Sequence, residues 1–289
     1  LTYAVVQSAI GGASSALGLN AQRLTGVADP VSDQDAATKA WVLANAGGAS
    51  WRVTPDAHDL GVWRMDEASG NFASTGAEGA LDLVPAGTIA YRDAGPLGTG
   101  AFCAGDAGSY VASAATTKCQ PAALTVWAWI RLRAETAQFP IVIAKLHDPT
   151  EPGSWSGDHF DWGILPYCTG NNGRWIAGVR ISGSLVMIDV GGTSTNRSSI
   201  LVGQPHLLAL THDGTTLKAY LDGALAGSAS ASGAVDYGGG PVIRGGVPYA
   251  IAGGAYGTCG WLGEARVRDE VLTQAQIAEI YRRHMAVWP

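Results

Sequence analysis

The run from position 206 to 228, HLLALTHDGTTLKAYLDGALAGS, leaves this chain little freedom of local structure. Leu208, Leu210 and His212 fall on one face of an extended strand, and Leu207, Ala209 and Thr211 on the other. Asp213-Gly214 and Asp222-Gly223 interrupt the alternation. Glycine tolerates the positive φ that tight hairpins need, so Asp-Gly between alternating runs predicts strand, turn, strand.

The same pattern continues through most of the chain. Strands are expected near 61–65, 80–84, 100–104, 110–112, 124–133, 141–146, 160–165, 174–181, 184–190, 200–202, 206–212, 216–221, 224–228, 242–244 and 260–268. Turn residues separate them at intervals suited to a sandwich. The chain closes with a predicted helix. Thr273 and Gln276 form a capping box, and Ile277, Ile280, Tyr281 and His284 form a stripe.

Composition supports a large buried core. Of 289 residues, 47% are hydrophobic and 15% charged, which argues against general disorder. That length allows two domains, or one large sandwich with an appendage. The net charge is −6 without a basic cluster, so no nucleic-acid partner is expected. No apolar run approaches the roughly 18 residues of a membrane helix, so no membrane insertion is expected. The start, LTYAVVQSAIGG, lacks a basic leader and is not read as a signal peptide. It also lacks an initiator Met, which fits a fragment, a processed product or an unusual start codon. Cys103, Cys119, Cys168 and Cys259 contain no C-x-x-C pair and are expected as mostly buried free thiols, with three disulfide pairings formally open.

Residues 1–50 have a different texture. Asp29-Pro30 marks a break, and Ser32 is placed to cap a helix with Asp33 and Asp35 in its first turn. Ala37, Ala40, Trp41 and Ala44 follow at helical spacing, and Gly47-Gly48 opens a linker. Such a narrow stripe buries little alone. It can pack on its own domain, or three copies can bury it around an axis. The run Leu19-Asn20-x-x-Arg23-Leu24-Thr25-x-Val27-Ala28-Asp29-Pro30, then Asp35-Ala36-Ala37-Thr38-Lys39-Ala40-Trp41-Val42, resembles a repeat of bacteriophage tail fibres. Members usually carry Tyr where Trp41 stands. The resemblance implies a virion attachment segment, other virion proteins as partners, and a homotrimer.

A second resemblance spans residues 60–283. Val62-Trp63-x-Met65-Asp66-Glu67-x-x-Gly70, Leu124-Thr125-Val126-x-Ala128-Trp129-Ile130, and Gly263-Glu264-x-Arg266-Val267 with Leu272-Thr273-x-x-Gln276-Ile277 resemble laminin G-like domains, in order. The implied fold class is all-β: a concanavalin A-like β-sandwich jelly roll over 51–289, with a short helical segment in 1–50 and a C-terminal helix.

Residues 146–175 depart from that pattern and form the candidate site. They concentrate Trp155, His159, Trp162, Tyr167 and Trp175 with Asp158, Asp161, Asn171 and Asn172. Flat aromatic faces suit the CH faces of pyranose rings, and carboxylates and amides suit paired hydroxyls. Loops on rigid scaffolds often carry such sites. Trp162 and Trp175 equally suit the starts of core strands, while Trp155 and His159 suit burial, subunit contact or ligand contact. On the strand 124–133, Leu124, Val126, Ala128, Ile130 and Leu132 face the core. Thr125, Trp127, Trp129, Arg131 and Arg133 face outward, where loops or a partner would cover the tryptophans, or a ligand would stack on them.

No cofactor is expected. Calcium, held by some related domains, stays open at Asp158 and Asp161, although no D-x-D-x-D-G loop occurs. Histidine metal motifs are absent from the sequence. So are G-x-S-x-G, a P-loop, and the E-x-D-x-E of sandwich hydrolases. A two-carboxylate site built from Asp66 or Glu67 with Asp161 stays open, but the chain is read as a non-enzyme. The expected role is a virion fibre or spike protein binding host surface polysaccharide, assembled in the host cytoplasm. The alternatives are a capsid- or tail-decorating module making only protein contacts, and a capsule depolymerase.

Overall fold

The computed structural model describes residues 53–79, 81–95, 98–104, 110–132, 141–147, 160–167, 174–190, 203–238, 242–247 and 259–285. The chain divides into two units, Leu1–Ser50 and Trp51–Pro289. All described residues belong to the second, so the helix expected in 1–50 lies outside them, as does the strand expected at 200–202.

Two antiparallel sheets carry the fold. The first contains β1 (Asp59–Trp63), β3 (Ile89–Gly95), β4 (Gly98–Ala104), β6 (Leu124–Leu132), β11 (His206–His212), β12 (Thr216–Leu221), β13 (Ala224–Ser230) and β15 (Cys259–Arg268). Its order is β13-β12-β11-β6-β15-β4-β3, with β1 also beside β15. The second contains β2 (Val84–Ala86), β5 (Tyr110–Ala112), β7 (Ile141–Leu146), β8 (Phe160–Tyr167), β9 (Arg174–Ile181), β10 (Ser184–Val190) and β14 (Ile243–Val247). Its order is β10-β9-β8-β7-β14-β5-β2. One helix, α1 (Gln274–Met285), follows β15. This is the expected β-sandwich with its C-terminal helix.

Local chemistry explains the hairpins. Asp222 and Gly223 sit at φ 54° and 83°, and Ser182 and Gly183 at φ 49° and 78°. Positive φ at both central residues is the two-residue turn whose twist matches that of the flanking strands. At Asp213 the side chain closes the turn itself, accepting from the backbone N–H groups of Thr215 at 2.9 Å and Thr216 at 2.8 Å. The Thr215 hydroxyl adds a third bond, and together these hold the Asp213 carboxyl down to about 2.

The alternation then sorts the faces. Val126, Ala128 and Ile130 of β6, Leu208 and Leu210 of β11, and Ala265 and Val267 of β15 enter the main core. They share it with Ile143, Trp162, Ile164, Trp175, Ala177 and Val179 of the second sheet. The outward residues of β6 and β11 build a second cluster. Trp127, Trp129, Leu207 and Ala209 join Tyr220, Trp261, Leu272, Ile277 and Ile280. Helix α1 covers this face. Trp129 stacks on Tyr281 with centroids 5.9 Å apart and lies 5.0 Å from the His284 ring. The outward tryptophans of β6 are therefore covered by their own chain.

Strand β15 serves three neighbours. Cys259–Leu262 pair with β4, Ala265–Arg268 pair with β1, and β6 runs along the other edge. The register slips between Leu262 and Ala265, so both can face the core despite their odd spacing. Gly263 sits at the slip because a Cβ there would lie 2.3 Å from the Trp261 ring.

A buried ion network ties β1 to β15. Arg266 Nη1 donates to Asp59 Oδ2 at 2.9 Å, and Arg266 Nε donates to Glu264 Oε1 at 2.7 Å. Arg266 Nη2 also donates to the Val53 carbonyl. Arg268 Nη1 reaches the other Asp59 oxygen at 2.7 Å, and its Nη2 bonds Asp56 and Glu270. Asp59 and Arg266 have no exposed surface. The Arg266 guanidinium also lies 5.2 Å from the centroid of the Trp127 ring.

Two elements differ from expectation. Strand β3 went unpredicted because its sequence, IAYRDAG, lacks alternation and it lies at a sheet edge. The strand expected at 80–84 meets β2 only at Val84, where β2 begins, while Leu83 makes only an isolated bridge to Phe72.

Replacing Arg266 by Met removes the buried cation that Asp59 Oδ2 and Glu264 Oε1 share. It should cost about 3–5 kcal/mol in urea unfolding, the range for breaking a buried pair from one side. Gly223→Ala combines a left-handed backbone with a Cβ placed 2.6 Å from the Ala278 Cα. It should lower stability by about 2 kcal/mol, with Trp129 fluorescence reporting loosened helix packing.

Candidate functional site

The departing segment is held at its stem. Strand β7 runs to Leu146, His147 follows, and β8 begins at Phe160. Pairing runs Lys145 to Trp162 and Leu146 to Phe160, so Asp161 is the unpaired residue of a bulge. A bulge re-aims its side chain, and the Asp161 carboxylate meets His147. His147 Nδ1 lies 2.7 Å from Asp161 Oδ1, and the Gly238 N–H donates to the same oxygen at 3.1 Å. Asp161 is sealed, while the His147 side chain keeps 27% of its surface. Asp161 Oδ2 is buried without a hydrogen-bond partner among the described residues.

Behind this clasp lies a buried polar cluster. Lys145 Nζ donates to the Thr116 carbonyl at 2.7 Å. Glu78 Oε2 accepts from the Cys119 N–H at 2.6 Å, Trp162 Nε1 donates to the Cys119 carbonyl at 3.2 Å, and the Tyr237 hydroxyl donates to the Pro121 carbonyl at 2.8 Å. Burial dominates the electrostatics. It pushes the Asp161 carboxyl above its ordinary range against the opposing pull of His147, Gly238 and Lys145. It pushes the Lys145 ammonium down, with Asp161 pulling the other way. Burial and then Glu78 raise the Cys119 thiol, so this free cysteine stays protonated and is no nucleophile.

The expected site residues separate. Trp162 and Trp175 are fully buried in the main core and offer no face to a sugar. Core filling replaces the ligand role expected of them, because their strand positions point between the sheets. Asp161 is the stem clasp. Tyr167 ends β8 opposite Arg174. Trp155, Asp158, His159, Asn171 and Asn172 lie outside the described residues. Sequence reasoning missed His147, Lys145, Tyr237 and Gly238. His147 stood within the suspect segment, but nothing local announced Gly238, 77 residues beyond Asp161.

Other acids are engaged elsewhere. Glu67 Oε1 accepts from the Ala73 N–H at 2.8 Å, and Glu264 and Glu270 bond Arg266 and Arg268. Among the described residues, no three His, Cys, Asp or Glu side chains group as metal ligands, and no helix is long and apolar enough to cross a membrane.

A family model described as the concanavalin A-like lectin/glucanases superfamily matches residues 105–278. Among solved structures, the botulinum neurotoxin serotype D binding domain superposes with a TM-score of 0.58 at 10% identity, covering 78% of this chain and 51% of that one. The receptor binding domain of the botulinum neurotoxin C/D mosaic serotype gives 0.55 at 10% identity, with 78% and 51% covered. A Trypanosoma rangeli sialidase gives 0.55 at 12% identity, with 81% and 34% covered. This chain thus spans about half of the neurotoxin domains and a third of the sialidase. At such identities the likeness is one of fold. These structures are neurotoxin binding domains and a sialidase rather than tail fibres. No curated protein sequence matches the chain.

The stem makes a pH prediction. A buried carboxyl raised above its ordinary 3.8 favours the folded state when protonated, so its contribution is complete below 3.8 and declines as pH rises through the folded value. Asp161→Asn removes that decline and keeps an oxygen for His147 and Gly238. Urea melts between pH 4 and 7 should show the variant gaining on the wild type as pH rises. A difference constant with pH would refute the assignment.

Proposed function

The chain belongs to the concanavalin A-like lectin/glucanases superfamily, and from that premise we propose that it recognises host surface polysaccharide on a phage-like particle without cutting it. The observation that carries the reading is the family match across 105–278, which includes the whole aromatic and acidic segment and the strands that clasp its stem. Trp155, Asp158 and His159, with Asn171 and Asn172 of the next connection, supply the sugar-binding groups. Tyr167 stands at the foot of that connection. A rigid stem lowers the ordering cost of a binding loop. Residues 1–50 act as the virion attachment and trimerisation segment, a role that rests on the tail-fibre resemblance of residues 19–42. Three weak sites on one trimer gain from effective concentration, so each subunit need not bind tightly.

The non-catalytic reading is supported by where the acids go. Glycan hydrolysis needs two carboxyls facing one bond, about 5–10 Å apart. Asp59, Glu264 and Glu270 are each held by an arginine, and Asp161 is turned inward to His147.

A polysaccharide array probed with the purified full chain, with and without calcium, tests the proposal. Binding that falls about tenfold in Trp155→Ala supports it. No binding to any host polysaccharide refutes recognition, and released reducing ends refute the non-catalytic reading.

A further inference from the structure

A second polar site lies away from the aromatic segment, under the first turn of α1. A cleft of about 250 Å³ opens between the outer face of β12 and the β15–α1 connection. Lys218 and Tyr220, two apart on β12, form its floor, and Leu225 and Val271 form apolar walls. Thr273 and Gln274 close it at the helix start.

Three features make this cleft positive and unsatisfied. Lys218 is half-buried and joins no ion pair among the described residues. Tyr220 is only 3% exposed, yet its hydroxyl has no hydrogen-bond partner among the described residues and is not sealed off, so it opens on the cleft it lines. The twelve-residue helix has no acidic residue in its first turn. Its cap consumes only part of the available donors. Thr273 N–H and hydroxyl bond Gln276 Oε1, and Gln276 N–H bonds Thr273 Oγ1. The N–H groups of Gln274 and Ala275 remain, at the positive end of the helix dipole. An ammonium, a phenol and a helix start converge with no carboxylate lining the cleft. A bound anion satisfies them together.

We propose that this cleft holds the carboxylate of an acidic sugar. The carboxylate accepts from Lys218, Tyr220 and the helix start, and the ring's CH face rests on Leu225 and Val271. Leu225 is 47% exposed, a surface such a ring would cover. The proposal deepens the polysaccharide reading and rests on it, since it names the chemistry of one recognised unit. It uses none of the residues of the aromatic segment.

Saturation-transfer NMR titrations on the full chain test it, with methyl glucuronide, methyl glucoside and acetate as probes. The glucuronide should bind, and the neutral glucoside should bind at least tenfold more weakly. Lys218→Met and Tyr220→Phe should each weaken glucuronide binding about tenfold. Lys218 is not buried in the core, so its variant stays folded, which an unchanged urea midpoint verifies. Equal binding of glucuronide and glucoside, or unchanged binding in both cleft variants, overturns the site. Acetate binding as tightly as glucuronide overturns the sugar assignment. An array positive only for neutral polysaccharides, with no glucuronide binding, removes this cleft and leaves the broader function standing.

Discussion

The guanidinium of Arg266, sealed on the outer face of β15, is the contact on which the rest of the architecture turns. It joins Asp59, 207 residues earlier in sequence, to the last strand of the sandwich. A buried ion pair gains little net stability over apolar packing, because desolvation offsets the attraction. It does fix register. Asp59 offers one oxygen to Arg266 and the other to Arg268, so a slip of one residue would break both bonds. The network therefore decides where β1 lies along β15.

That placement propagates toward both candidate surfaces. With β15 fixed against β6, the Thr125 hydroxyl donates to the Glu270 carbonyl and accepts from the Leu272 N–H at 2.9 Å. This hook sets the direction of the β15–α1 connection. The helix then lands on Trp127, Trp129 and Trp261, and Gly223 lets the β12–β13 turn approach Ala278. Burying these tryptophans removes them as a sugar platform. The cleft beside Lys218 exists because the helix starts where that hook leaves it.

Much of the sandwich was legible from local pattern, and the reason is physical. Strands such as His206–His212 and Thr216–Leu221 sit between turns whose backbone glycine-containing pairs adopt easily, so their limits are fixed within a few residues of sequence. The capping box at Thr273 is equally local. What local pattern could not decide was depth. Trp162 and Trp175 occur beside turn residues and acids, as a binding platform would, yet both enter the core because they alternate with outward residues of paired strands. Strand β3 escaped notice because an edge strand needs only one partner and no two-sided apolar pattern. The Asp161 clasp escaped because a bulge offsets the parity rule, and its third member comes from Gly238, distant in sequence.

The two buried charge groups are built differently, and the contrast bears on function. In the β1–β15 network Asp59 spends both oxygens on arginines. At the stem, Asp161 spends one oxygen on two donors and leaves the other dry. A polar group left partly unsatisfied costs stability that an apolar residue would not cost. Such a cost persists where geometry at that point matters more than stability. A carboxylate held by a partly exposed histidine pins His147, just after β7, to the bulge at the start of β8. The β1–β15 network thus pairs both oxygens of its acid where the strands need only hold register, whereas the stem between the central strands β7 and β8 leaves one oxygen of its acid without a partner among the described residues, beside the proposed recognition segment.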